Sequence, residues 1–259
     1  MINPLTQAPV FWEAFFLIVC RVGTILMIAP IFGNRGVPVQ VKIAFTLLLS
    51  LILLPIATAN LTALPESVPA FLLLVGRELL IGGLVGLAVL IVFVSLQAAG
   101  HIVGVQIGFS LSNVINPLMQ EQSGVIDQFY SLLATLVFFS INGHHLLLQA
   151  VARTFDLVPL DAPGAGLPPA PVLLNWGSEI FVMATRISLP VTAALLLADV
   201  AMALVARSVP QLNVFVVGAP AKIIAGLAML AVTVPVTAAV MAGAFNDLGN
   251  LAGLVLRGG

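Results

Sequence analysis

Apolar residues run along this chain in blocks much longer than one amphipathic face needs: Val10 to Phe32, Ile43 to Ala59, Ala70 to Leu96, Val125 to Ile141, Val172 to Ala206 and Leu212 to Phe245. Most reach or exceed the ~20 residues that cross a bilayer as helix. Six helical segments are the simplest prediction, and the fold class is all-α. The last two blocks contain Pro190, Pro220 and Pro235, so each is either a kinked helix or a hairpin of two shorter ones. The stretch Asp161 to Pro171, DAPGAGLPPAP, cannot build a core and divides the chain into helical parts at 1–160 and 172–259.

Between the third and fourth blocks lies Gln106 to Gln122, QIGFSLSNVINPLMQEQ. If its neighbours are membrane helices, non-helical backbone at that depth survives only where protein or a water-filled passage covers it. One reading is a gate or plug; the other is an ordinary surface connection. Gly108 frees the backbone to leave a helix and Pro117 limits helical geometry at the far end. Between them Phe109, Leu111, Val114 and Ile115 supply apolar bulk without a charge, as a hydrophobic constriction requires.

Composition narrows the class. With 61% hydrophobic residues, 7% charged residues and a mean hydropathy of +1.19, the chain falls far outside the soluble norm of about 25% charged. A net charge of −1 leaves no basic footprint for nucleic acid. Cys20 is the single cysteine, which excludes an internal disulfide or a thiolate metal cluster. Met1 to Val10 holds no Lys or Arg, so the first apolar block is expected to be retained rather than cleaved as a signal. Arg35 and Lys42 in one connection, and Arg207 and Lys222 in another, against Glu66 in a third, place both termini outward by the positive-inside rule.

Charges interrupt nearly every apolar block: Glu13 and Arg21, Arg77 and Glu78, Asp127, then Glu179, Arg186 and Asp199, and Lys222. At the centre of a lipid-facing helix each costs about 2.5–3.5 kcal/mol, so these helices are expected to bury them against protein. Arg77 and Glu78 are adjacent, and Glu179 and Arg186 lie two turns apart, which allows compensation. An ion or proton relay is the alternative, but the carboxylates are scattered singly rather than gathered at facing helix breaks.

Glycines recur at a spacing of four, as in Gly82 and Gly86, then Gly100, Gly104 and Gly108, and Gly249 and Gly253. That spacing puts them on one helix face and predicts close backbone approach. Catalytic signatures do not appear. His144 and His145 are adjacent and diverge on a helix, His101 stands alone, and there is no phosphate-binding loop or nucleophile elbow. No enzyme, cofactor or metal is expected.

Three stretches together resemble the FliR family of flagellar type III export proteins. They are Arg21 to Lys42, RVGTILMIAPIFGNRGVPVQVK; Gly108 to Pro117, GFSLSNVINP, followed by Phe129 to Pro159 with NGHH at Asn142 to His145; and Leu189 to Gly226, LPVTAALLLADVAMALVARSVPQLNVFVVGAPAKIIAG. The similarity extends from about residue 10 to 245. The family has a branch in virulence-type injectisomes, and NGHH sides with the flagellar branch.

The resemblance implies an export-gate subunit of the bacterial inner membrane and flagellar basal body, assembled with FliP and FliQ. FlhB would surround the gate, the FlhA ring would lie beneath it, and rod proteins and exported flagellar subunits would be met above. It likens residues 1–160 to FliP and 172–259 to FliQ, and turns Arg21, Asp127, Asp199 and Lys222 toward partner subunits. It also makes Gly108, Phe109, Ser110, Leu111, Val114 and Ile115 the plug. Leu111 and Val114 stand where some relatives have phenylalanine, while Phe109 supplies an aromatic one step earlier.

Overall fold

The computed structural model describes residues 4–33, 36–59, 61, 63–65, 67–109, 124–161, 170–209 and 214–256, and among them every regular element is a helix. In chain order these are α1 (Pro4–Ile28), the single turn α2 (Pro30–Gly33), α3 (Val39–Ala57), α4 (Val68–Ile107), α5 (Val125–Ser140), α6 (Gly143–Leu157), α7 (Ala170–Ser208) and α8 (Val214–Leu256). Among the described residues five helices are long and apolar enough to cross a membrane, or six if α5 and α6 form one broken span.

The open question about the proline-bearing blocks resolves as single helices: α7 continues through Pro190, and α8 through Pro220 and Pro235. Ser188 and Thr233, each two residues before a proline, donate hydroxyl hydrogen bonds to the carbonyls of Thr185 and Leu230. The third apolar block also reaches further than its hydropathy implied, since α4 runs on through Gly100 and Gly104 to Ile107. The six-block reading passed over α6 altogether. That helix starts at Asn142, whose φ of 56° is left-handed, and Arg153 and Asp156 break its apolar pattern.

Contacts divide the chain into two compact units. The first comprises Met1–Ile91, Asn142–Trp176 and Phe245–Gly259, and the second Val92–Ile141 and Gly177–Ala244. In the first, the core side of α1 is fully enclosed at Leu17, Ile18, Val22 and Ile25, and the glycine pair on α4 sets the approach of the two helices. A Cβ on Gly82 would fall 2.5 Å from the Arg21 carbonyl oxygen, and one on Gly86 2.8 Å from Ile28 Cβ. Backbones this close need glycine.

In the second unit, α4 from Val92 onward buries Leu96, Ala99, Val103 and Ile107, while α5 buries Ile126, Tyr130 and Ala134. Gly100 brings α4 and α5 together, for a Cβ there would lie 2.8 Å from Asp127 Cα. Phe93 and Phe138 extend this contact with ring centroids 6.0 Å apart. Gly226 on α8 plays the same part against Ile107, whose Cγ1 would be 2.6 Å from an added Cβ, with Leu195 of α7 at 3.4 Å. Gly249 and Gly253 lie beyond the residues whose side chains are described.

Candidate gate segment and its charged supports

The candidate gate segment begins where α4 stops. Gly108 has a φ of 103°, a conformation open to glycine and strained for other residues. Its N–H donates to the Val105 carbonyl at 3.1 Å, and the Phe109 N–H reaches back to Gly104 at 3.0 Å. This pair of bonds is the Schellman arrangement that closes a helix at a glycine. Gly108 thus ends the helix, as a residue that frees the backbone was expected to, and Gly100 and Gly104 before it face α5. Phe109 follows with its side chain partly exposed. Ser110, Leu111, Val114 and Ile115 lie outside the described residues.

The chain is described again from Gly124, where Asp127 Oδ2 accepts the Gly124 N–H at 3.1 Å. A carboxylate in the first turn suits the positive end of the helix dipole. The same oxygen lies 3.5 Å from His101 Nδ1 on α4, and Asp127 Oδ1 lies 3.8 Å from the Cβ position of Gly104. Both ends of residues 110–123 are thus fastened to the last two turns of α4. His101, solitary in sequence, has its carboxylate from a helix 26 positions on; adjacency in sequence carried no trace of it.

A second support sits one residue before the helix end. Gln106 Nε2 lies 3.5 Å from Asp199 Oδ2 on α7, and that oxygen accepts from Lys222 Nζ on α8 at 2.9 Å. The cation beside Asp199 is Lys222 of the next helix rather than Arg207, two turns along its own. Beside this polar group Ile107 meets Gly226, so the end of α4 touches α7 through the Gln106 amide and α8 through a close-packed contact, while the ion pair itself joins α7 to α8. Glu179 and Arg186, by contrast, are both exposed and make no ion pair with one another.

The first unit keeps its charges inside. Arg21 and Glu78 are fully buried and paired through two bonds, Nε to Oε2 at 2.5 Å and Nη2 to Oε1 at 3.0 Å. The rest of the guanidinium fork donates to the Thr154 and Val158 carbonyls, each at 2.9 Å, and its carbon lies 4.3 Å from the centre of the Phe155 ring. Arg77 Nη2 adds bonds to Glu78 Oε1 at 3.1 Å and to the Pro159 and Leu160 carbonyls at 2.6 and 3.1 Å. Two cations on one carboxylate would leave a surplus positive charge, and the carbonyl oxygens at the close of α6 answer it. Arg21, read as turned toward a partner subunit, is therefore enclosed and satisfied by its own chain. The sequence reading missed this because the acceptors are backbone atoms, which have no residue signature.

Among the described residues no three His, Cys, Asp or Glu side chains gather in a way that could hold a metal ion. What the geometry can do is mechanical: it anchors a segment at both ends and holds helices through charge.

The profile of the bacterial export proteins, family 1, matches residues 12–248. The flagellar biosynthetic protein FliR of Bacillus subtilis is 36% identical over 247 residues, with 91% of each chain covered. FliR of Escherichia coli is 29% identical, covering 92% of this chain and 90% of its own. The Yop proteins translocation protein T of Yersinia pestis is 28% identical, covering 86% and 85%. With that match spanning nearly all its helices, the chain belongs to family 1 of the bacterial export proteins, the FliR family: a non-enzymatic, multi-pass membrane component of a type III export apparatus.

Proposed function

We propose that this chain is a structural and gating subunit of the flagellar type III export gate in the bacterial inner membrane, assembling with FliP and FliQ around the passage for flagellar subunits. One observation carries the gating part: α4 ends at Gly108 and the chain returns at Gly124 onto the same helix end. A tether of this kind fixes Phe109 and Gly124, the two residues that flank the segment, to one helix end. Phe109, Leu111, Val114 and Ile115, with Gly108 and Ser110, form the plug, an uncharged apolar obstruction that excludes water without binding cargo tightly. Residues 1–160 take the place of a FliP-like part and 172–259 that of a FliQ-like part; FlhB, the FlhA ring and rod proteins are the further neighbours.

The injectisome reading draws on the Yersinia relative, whose identity nearly equals that of the Escherichia coli protein. The Bacillus relative and the NGHH at Asn142 to His145 favour the flagellar one. A transporter would want a vacant buried acid, whereas Glu78 is held by two guanidinium groups.

The test is deletion of Ser110 to Asn116, or glycine at Leu111 and Val114, in cells producing the whole gate. Copurification with FliP and FliQ should persist while conductance or dye uptake rises. Variants that assemble and leak no more than the parent would reduce the segment to a connecting loop.

A further inference from the structure

One carboxylate, Asp127, has two duties at the start of α5. Gly124 is the N-cap of that helix and has no side chain with which to cap it, and Asp127, three residues on, accepts the Gly124 N–H at 3.1 Å through Oδ2. The Asp127 backbone lies against α4, where the Cβ position of Gly100 is 2.8 Å from its Cα, and its other oxygen faces Gly104. His101 Nδ1 stands 3.5 Å from the same Oδ2 that holds Gly124. The carboxylate is 13% exposed and the imidazole 64%, so the histidine covers the carboxylate from the solvent side.

A neutral imidazole has one N–H and one acceptor nitrogen, so only the tautomer with its proton on Nδ1 donates to Asp127, and the other turns a lone pair toward the carboxylate. A protonated ring donates from both nitrogens and adds a positive charge. Among the described residues no other charged side chain pairs with His101 or Asp127. On the helices beside the end of α4, Asp199 of α7 and Lys222 of α8 are joined to each other next to Gln106, which lies about 140° round α4 from His101 at about 3.6 residues per turn. Glu179, Arg186 and Arg207 are exposed on α7 and pair with neither member.

We propose that His101, when protonated, is a positioning residue for the gate segment: it holds the Asp127 carboxylate, and through it the Gly124 N–H, so that this anchor is tighter at low pH than at high. Its bearing on gating rests on the reading of residues 110–123 as a plug, whereas the latch itself rests on His101, Asp127 and Gly124. Histidine changes charge between about pH 5 and 8, and this ring is open to exchange protons with solution. At the acid end of that range a cation faces Asp127. As pH rises the pair loses its ionic part, and the carboxylate keeps the backbone bond and the helix dipole alone.

The test is amide hydrogen exchange on the full chain within its purified complex, at about pH 5 and about pH 8. It is read in peptides that contain Gly124 and Gln128, whose N–H groups bond Asp127 and the Gly124 carbonyl. Comparing each variant with the parent at the same pH cancels the chemical pH dependence of exchange. His101→Gln should raise the rate about threefold at the lower pH, the scale of a partly exposed ion pair, and leave it near the parent's at the higher. His101→Arg, charged at both, should keep the parent's protection at the lower pH and extend it to the higher. In an Asp127→Asn background neither substitution at 101 should matter, and the His101 arms stand alone if that background fails to assemble. An equal ratio of His101→Gln to parent at the two pH values would reduce His101 to packing, and no change at either would remove it from the anchor; both overturn the proposal. The plug is judged separately by deleting Ser110 to Asn116, which leaves His101, Gly124 and Asp127 in place. A deletion that leaks no more than the parent, with exchange still following His101, would sink the plug and keep the latch.

Discussion

Arg21 and Glu78 are wholly enclosed, whereas Asp199 and Lys222 keep 45% and 26% of their side chains exposed. Both pairs sit in apolar helices and both are close, so residue type does not separate them. What differs is the company. The first pair is ringed by a second arginine, four backbone carbonyls and an aromatic ring, all from the same unit. Around the second the chain offers Gln106. The first charge cluster finds its counter-charge and most of its hydrogen-bond partners within the chain, and it holds the fold. The second lies in membrane-type helices with sides still open, a place where lipid is a poor neighbour, and is suited to another subunit or an aqueous passage.

The comparison breaks most visibly at Glu78. Glu78→Leu strands the Arg21 guanidinium in a closed site, and losing one partner of a buried pair costs about 3–5 kcal/mol. Little full-length chain should accumulate in membranes. Adding Arg21→Met should restore part of the yield, not all, because the Thr154 and Val158 carbonyls then lose their donor. Full restoration would show that the carbonyl bonds contribute nothing.

Gly82→Leu is the next largest effect, since a side chain there meets the Arg21 carbonyl and overpacking costs about 1–3 kcal/mol. Its melting temperature in the purified complex should fall, while Gly76→Leu, with nothing within 4 Å of the added Cβ, should not move it. A smaller change is expected at the helix end. Gly108→Ala forces a side chain into a left-handed backbone, a cost of about 1–2 kcal/mol. Faster proteolysis between residues 106 and 124 would report it, and unchanged cleavage would mean that the Schellman turn is not needed to hold α4 closed.

Asp199→Leu should shift the stability of the chain least, because a partly exposed pair contributes about 0–1 kcal/mol. Its sharp counterpart is Asp199→Lys, which sets a second cation beside Lys222 and should abolish motility and copurification with FliP and FliQ. Normal assembly of the lysine variant would place this face against neither protein nor passage.

The long apolar blocks made the helices legible because a bilayer demands length and hydropathy, quantities a sequence states outright. Gly82, Gly86 and Gly100 were legible for a related reason: close packing between membrane helices favours small residues at regular spacing. The adjacency of Arg77 and Glu78 likewise announced their pairing. Partners distant in sequence were not legible. Nothing in the string joins His101 to Asp127, Gln106 to Asp199, or Ile107 to Gly226, since each contact depends on how separate helices cross. Nor did α6 declare itself, because Arg153, Asp156 and the other polar residues of its exposed side break up the continuous apolar run by which the other helices were read, although its buried face, Leu147, Val151 and Phe155, is regular.

Those carbonyls also set a clock on biosynthesis. Arg77 bonds the Leu160 carbonyl across 83 residues, and Arg21 reaches Val158 across 137. At a synthesis rate of about 5–20 residues per second, roughly 4 to 17 s pass between the appearance of Arg77 and that of its last acceptor. Throughout that interval α1 and the start of α4 carry two guanidinium groups for one carboxylate, a surplus cation that hydrocarbon would resist. The nascent chain must therefore keep this end wet, or sheltered by the insertion machinery, until the close of α6 emerges. The interior of the first unit can seal only after more than half the protein has been made.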